Sequence, residues 1–324
     1  MITYKKAGVD LNKAERFLKE IRRISKEVSF ESPFKAFSSL FPLNKDTFLV
    51  LSCDGVGTKI KIAQELNIHY PIGIDLVAMN VNDIICTGAK PCVFLDYIAF
   101  NKVELKVLKE IMRGIVTGCK EATCILAGGE TAEMPGVYKK GEYDLAGFCV
   151  GLVKKKDLVS PSNIKEGDLV LGLRSSGLHS NGFSLVRKVF TKPEILKYKK
   201  ELLTPTRIYV KEVLAVLRKF KKKIKGLAHI TGGAFLIKAP KVLPEGLSFV
   251  FYKKNWPVPK IFKMIQEKGK IEDKEMYRVF NMGIGFILIV SQKSVKDIFK
   301  FFKNINLDCY VIGEVIKAKE VILR

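Results

Sequence analysis

Leu49-Val50-Leu51-Ser52-Cys53-Asp54-Gly55-Val56-Gly57-Thr58-Lys59 constrains the fold more than any other stretch of the chain. An apolar run of strand length breaks off into an acid, two glycines, a hydroxyl and a lysine, the pattern of a strand that delivers polar groups to its end. Gly55 and Gly57 allow positive φ or a close approach of backbone to a ligand. Asp54 can hold a divalent cation and Lys59 can meet a phosphate. The spacing is not that of a P-loop, because the lysine follows the threonine. Taken alone, the stretch fits a tight turn with a solvated lysine as well as a phosphate site.

The rest of the first half repeats the theme. Asp10 is a suitable N-cap for a helix over 9–24 with Ala14, Phe17, Leu18 and Ile21 on its apolar side. Residues 29–39 show no period and read as a mobile segment. Ile72-Gly73-Ile74 closes in Asp75, and a helix over 76–87 is expected next, with Asn80 and Asp83 on one face. Either Asp75 caps that helix and Asp83 pairs with a lysine, or the three form part of a metal or nucleotide site. A strand over 93–95 ends at Asp96. Leu108, Ile111, Met112, Ile115 and Val116 mark an amphipathic helix over 102–120. A buried strand over 124–127 runs into a Gly128-Gly129-Glu130-Thr131 turn, and a further strand covers 143–153. Several strands ending in acids or glycine turns suit an α/β architecture with its site at strand ends.

Ser160-Pro161-Ser162-Asn163 and Glu166-Gly167-Asp168 punctuate the chain, so two domains are expected, 1–160 and 161–324. The second restarts with a strand over 169–173 and a Ser175-Ser176-Gly177-Leu178-His179-Ser180-Asn181-Gly182 turn before a helix from Phe183. Thr204-Pro205 reads as the cap and first-turn proline of the helix holding Val210, Val213, Leu214 and Leu217. Pro257 and Pro259 open a helix to Gly269. His179 and His229 each stand in a turn that is expected to precede a helix, where backbone N–H groups would bind anions; a structural histidine is the alternative.

Composition narrows the function classes. The chain has 324 residues, 48% of them hydrophobic, enough for a substantial core. No apolar run approaches the roughly 18 residues of a membrane span, and the start, Met1-Ile2-Thr3-Tyr4-Lys5-Lys6, lacks a signal-peptide core, so a cytoplasmic protein without membrane partners is expected. Seven cysteines, an odd number with no Cys-x-x-Cys pair, argue for buried free thiols, and three histidines argue against a His-rich metal site. The net charge of +23 comes from dispersed lysines with no nucleic-acid motif beside them, so nucleic acid is an unlikely partner; a solvated basic surface would still attract anionic substrates.

Tyr4-Lys5-Lys6-Ala7-Gly8-Val9-Asp10, the 54–59 motif, residues 73–83, Phe94-Leu95-Asp96-Tyr97, residues 128–136, Asp144-Leu145-Ala146-Gly147-Phe148, the 175–182 turn, residues 204–210, His229-Ile230-Thr231-Gly232-Gly233 and Glu275-Met276-Tyr277-Arg278 occur in the order found in the phosphoribosylformylglycinamidine cyclo-ligase (AIR synthetase) family. The chain resembles that family from about residue 4 to residue 315. The resemblance implies an α/β (α+β) two-domain fold: an N-terminal ATP-binding domain that pairs into a shared barrel in a homodimer, and a C-terminal mixed sheet with helices. It implies ATP-dependent closure of formylglycinamidine ribonucleotide to aminoimidazole ribonucleotide (AIR) in purine biosynthesis, through an iminophosphate, with Mg²⁺. On that basis Asp54, Asp75 and Asp83 are metal candidates. ATP-binding candidates are Asp54, Gly55, Gly57, Thr58, Lys59, Asp75, Glu130 and Thr131. Substrate-binding candidates are Ser180, Asn181, Thr231, Gly232 and Gly233. His179, His229 and Lys59 are the catalytic candidates, with the general base left open between the two histidines. Two departures stand out: Phe34-Lys35-Ala36-Phe37-Ser38-Ser39 replaces a glycine-rich segment, and Ala234 followed by Ile237-Lys238 replaces Gly and a Glu-Asn pair. The resemblance leaves two alternatives, another ATP-dependent enzyme of the same superfamily or a non-catalytic basic binding protein.

Overall fold

The computed structural model describes residues 2–28 and 37–324, apart from the side chains of Arg22 and Lys222. The departure at Phe34-Lys35-Ala36 and most of the 29–39 segment therefore lie outside the described residues. Two sheets organise the chain. The first holds β1 (Ser39–Asn44), β2 (Thr47–Gly55), β3 (Lys90–Phe100), β4 (Ile125–Glu133) and β5 (Tyr143–Lys154) in the order β1-β2-β5-β3-β4. Only the β3–β4 pair is parallel. The second holds β6 (Leu169–Arg174), β7 (Ile224–His229), β8 (Leu247–Phe251), β9 (Ile284–Val290), β10 (Cys309–Lys317) and β11 (Ile322–Leu323) in the order β11-β8-β10-β6-β9-β7, with β8–β11 its one parallel pair. Mostly antiparallel pairing makes the fold α+β rather than a doubly wound α/β sheet.

Helices α1 (Leu11–Ile24), α2 (Lys59–Leu66), α3 (Tyr70–Ile85) and α4 (Leu105–Ala122) belong to the first half. The second half carries α5 (Phe183–Val189), α6 (Lys192–Lys197), α7 (Lys199–Leu203), α8 (Val210–Phe220), α9 (Lys260–Gly269), α10 (Asp273–Val279) and α11 (Val295–Asn304). None of the helices among the described residues is long and apolar enough to cross a membrane. All seven cysteines are free, although Cys53, expected to be buried, is exposed on β2.

The central element is α3, buried from Ile72 to Ile85. It packs on β2, β3 and β5 of the first sheet, on α4, and on α8 and β7 of the second half. Its approach to α4 depends on two glycines: a Cβ at Gly73 would lie 2.1 Å from the Ile111 carbonyl oxygen, and one at Gly114 would lie 2.1 Å from that of Tyr70. A helix buried on all sides can hold polar residues only if each finds a partner. Asn80 therefore donates to the carbonyls of Leu76 and Asp54, and Asn82 bonds the backbone of Arg207 and Tyr209.

Several sequence expectations change here. Asp75 does not close a strand or cap a helix: Pro71 starts α3 earlier, and Asp75 sits inside it. Short apolar runs have no distinguishing period, which is why 72–74 reads either way. Asp96 lies within β3, not at its end. Gly128 and Gly129 do not end the strand after Cys124. The register slips between Phe94 and Leu95, a bulge absorbs the extra residue, and β4 continues to Glu133 as an exposed edge strand. Thr204-Pro205 does not cap α8. Thr206 and Tyr209 give their N–H groups to Asp75 and Asn82, so 204–209 stays non-helical against α3. The His229 turn leads to a 3₁₀ segment at Ala239–Val242, and the His179 turn leads only to the two-turn α5. The His179 turn thus precedes a helix from Phe183 as expected, and the His229 turn does not precede an α-helix. Asp10 does cap α1, accepting from the N–H groups of Asn12 and Lys13.

Candidate active site

A cleft of about 670 Å³ opens where the two halves meet. The end of β2 contributes Asp54, Gly55, Val56, Gly57 and Thr58, and the start of β5 contributes Asp144, Leu145 and Ala146. The second half supplies Ser180, Asn181, Thr231, Gly232 and Lys238. Tyr4 and Val9 complete the rim. The N-terminal segment is anchored there by Tyr4 N–H donating to Glu275 (2.8 Å) and by Arg278 donating to Asn12 (2.9 Å). Two distant motifs, 4–10 and 275–278, thus meet at the rim, where Met276 and Tyr277 also enter the core.

Asp54 on β2 and Asp144 on β5 make the same local contact, each accepting the N–H of the next residue at 2.8 Å. Burial raises the Asp54 pKa, and the Asp83 charge raises it further, against the opposing pull of Lys238, the Gly55 N–H and His229. Thr58 and Ser184 share a hydrogen bond (3.0 Å) across the cleft.

Behind the wall lies a polar network sealed from solvent. Lys59 and Asp75 form an ion pair at 2.7 Å, both side chains wholly buried. Lys59 also donates to the Thr204 carbonyl at 2.8 Å, and Asp75 Oδ1 accepts from Thr206 N–H and Oγ1–H. Since Thr206 spends its proton on Asp75, the Ser180 hydroxyl, 3.0 Å away, donates to Thr206. A continuous hydrogen-bonded chain therefore links the cleft residue Ser180 to the buried pair. Burial pushes the Lys59 pKa down, and Asp75 pulls it back.

The histidines are buried as well. His229 Nδ1 is 2.9 Å from the Asp83 carboxylate, and the ring stacks on Phe286. His179 takes a left-handed backbone (φ +61°), and its Nε2 accepts the Ser176 N–H at 3.3 Å. Burial, reinforced by the neighbouring His229, Lys59 and Arg207, drives its pKa well below the ordinary histidine range, so the ring is neutral.

The sequence-based site thus divides. Asp54, Gly55, Gly57, Thr58, Ser180, Asn181, Thr231 and Gly232 meet in the cleft. Gly233 is adjacent in sequence and does not line it. The proposed metal trio is not assembled: Asp75 is spent on Lys59 and Thr206, Asp83 on His229, and among the described residues no three His, Cys, Asp or Glu side chains are grouped to hold a metal ion. Lys59 does not reach into the cleft, and neither histidine lines it, so none of the three catalytic candidates is among the cleft's lining residues. Glu130 shares a rung with Tyr97, Ala146 and Gly55, three strand spacings or about 14 Å from β2, on the open edge of the sheet with Thr131.

Sequence reasoning missed Asp144 and Lys238. Asp144 stands at an outward position of an alternating strand, where an acid normally reads as solvated. Lys238 follows the histidine turn in a segment with no period. Asp54 is a carboxylate that suits Mg²⁺, a hard cation that takes one or two carboxylates and keeps several waters, whereas Asp144 projects from the opposite face of the sheet.

Residues 38–153 match the family described as AIR synthase related protein, N-terminal domain, and residues 165–324 match the C-terminal domain of the same family. A phosphoribosylformylglycinamidine cyclo-ligase of Thermoanaerobacter pseudethanolicus is 47% identical over 98% of both chains. The chain belongs to the phosphoribosylformylglycinamidine cyclo-ligase family. Solved structures extend the fold beyond it. An Aquifex aeolicus thiamine monophosphate kinase complexed with AMPPCP and TMP has a TM-score of 0.66 at 17% identity, covering 97% of this chain and 95% of that one. Thermotoga maritima PurL complexed with ATP has a TM-score of 0.64 at 13% identity, covering 90% of this chain and 45% of that one. In this cyclo-ligase family member the Asp54–Thr58 turn and the 180–184 and 231–232 turns converge on one cleft, although more than 120 residues separate the first from the second.

Proposed function

We propose that this chain closes the imidazole ring of formylglycinamidine ribonucleotide, consuming ATP and releasing AIR, ADP and phosphate. The observation that supports it most is near-full-length similarity to proteins named for that reaction. The chemistry requires an amine nitrogen to attack the formamide carbon and expel its oxygen, which is a poor leaving group. Attack of that oxygen on the terminal phosphorus of ATP releases ADP and forms an iminophosphate. The amine then adds to the carbon, phosphate departs with the oxygen, and loss of a proton leaves the aromatic ring. Mg²⁺, when bound, would neutralise phosphate charge, and Asp54 is the residue that would hold it. Gly55, Gly57 and Thr58 line the floor beside it, and Ser180, Asn181, Thr231 and Gly232 face it from the second half as substrate contacts. Positioning of this kind can lower an intramolecular barrier by about 7–11 kcal/mol. The N- and C-terminal units are read as 1–160 and 161–324, with the reaction between them. Mixing the purified protein with Mg-ATP and formylglycinamidine ribonucleotide should yield ADP and AIR in equal amounts; absence of AIR rejects the reading.

The working form is proposed to be a homodimer closed through the first sheet. The outer face of that sheet carries Leu51, Leu95, Phe148 and Leu152, each 38–41% exposed, in one contiguous apolar patch. A second copy laid on it would bury the patch, close the barrel and cover the Glu130-Thr131 edge, placing those residues near a nucleotide site at the interface. Phe148→Glu should convert a dimer in sedimentation velocity to a monomer. A wild-type monomer at tens of micromolar, or an unshifted variant, would remove the dimer from the proposal.

A further inference from the structure

Lys238 is the one cation among the described lining residues of a cleft that also exposes the Asp54 and Asp144 carboxylates. Two phosphorylated ligands must enter that space, and carboxylates alone repel them. Lys59 cannot help, because it is sealed in its ion pair with Asp75. Lys238 is differently placed. Its side chain is 23% exposed, and its Nζ lies 3.7 Å from Asp83 Oδ2, longer than a hydrogen bond. The other Asp83 oxygen is already engaged by His229. The Phe37 ring stands 5.0 Å from the ammonium and fixes it by a cation–π contact. The group is thus held at the cleft by electrostatics while its N–H donors are not committed to Asp83. It also occupies a position where this chain departs from the Glu-Asn pair of the family pattern.

We propose that Lys238 is a phosphate-positioning residue of the cleft, donating to a phosphoryl oxygen of an entering ligand. The identity of the ligands rests on the cyclo-ligase reading: the phosphoryl group belongs either to ATP or to the ribose phosphate of the substrate. Lys238 does not itself exchange a proton with the reacting atoms. It offsets the Asp54 and Asp83 charges and sets where the phosphate lies.

The test uses the full-length protein and calorimetric titration with two probes, Mg-AMPPCP and ribose 5-phosphate. Lys238→Met should weaken one probe about tenfold or more, the loss of a charge-assisted hydrogen bond, and leave the other within about threefold. The probe that changes identifies the source of the phosphate. Lys238→Arg should restore binding to within about threefold of wild type, which a purely structural role of the methylene stem would not predict. Unchanged binding of both probes by Lys238→Met overturns the proposal. So does a Lys238→Arg variant as weak as Lys238→Met at equal melting temperature, or a wild type that binds neither probe. If the wild type binds a probe in the Lys238-dependent manner but makes no AIR, the cyclo-ligase reading falls and the phosphate role of Lys238 stands.

Discussion

Asp54→Asn should reduce AIR formation by on the order of 10²–10³-fold while the protein remains folded. Asp54 is the cleft carboxylate from which both the metal and the triphosphate are expected to take their position. The amide keeps the shape and can still accept the Gly55 N–H, but it cannot balance a divalent charge. Stability should move the other way. The Asp54 pKa in the folded protein is raised, first by burial and then by Asp83. A raised carboxyl pKa means that the ionised form is disfavoured by folding: stability increases as pH falls through the folded value, and at neutral pH the charge is a cost. Removing it should therefore leave the melting temperature unchanged or slightly higher. A turnover within about threefold of wild type would take Asp54 out of the metal role. A large fall in melting temperature would show that its task is structural.

The second expected result concerns the pair behind the wall. Lys59→Met should destabilise the protein by about 3–5 kcal/mol, because Asp75 would be left charged in a site with no access to water. In a protein of this size that lowers the thermal midpoint by about 10 °C. The double variant Lys59→Met/Asp75→Asn should recover a large part of the loss, since the amide carries no charge and its oxygen can still accept from Thr206. Activity should follow the pair through Ser180, whose hydroxyl donates to Thr206 and so takes its orientation from Asp75. A Lys59→Met variant losing less than about 1 kcal/mol, or a double variant less stable than the single, would contradict this account of the pair. The comparison matters because Lys59 sits in a motif that reads as phosphate binding, whereas its surroundings make it a clasp between α2, α3 and the 204–206 segment.

Elements with a long period or an explicit cap were legible in the residues alone. Asp10 and the amphipathic spacing predict α1, the Leu108-to-Val116 pattern predicts α4, and the strand expected over 143–153 is β5. The cleft floor was legible only with the motifs around it: alone, the acid and glycines fit a tight turn as well, and in the fold Asp54, Gly55, Gly57 and Thr58 line the cleft. What the local pattern could not supply is which polar side chains remain free once partners arrive. Asp54, Asp75 and Asp83 look equivalent along the chain. In the fold, α3 turns Asp75 toward Lys59 and Thr206 and Asp83 toward His229, contacts spanning 16, 131 and 146 residues. Of the three only Asp54 lines the cleft, at the end of a strand that pairs antiparallel with β5. Charge, hydroxyl and glycine content are properties of residues and can be read in order. Burial and pairing are properties of neighbours, and tertiary structure alone decided that Lys59 is a buried clasp while Lys238 is the cation that faces the cleft.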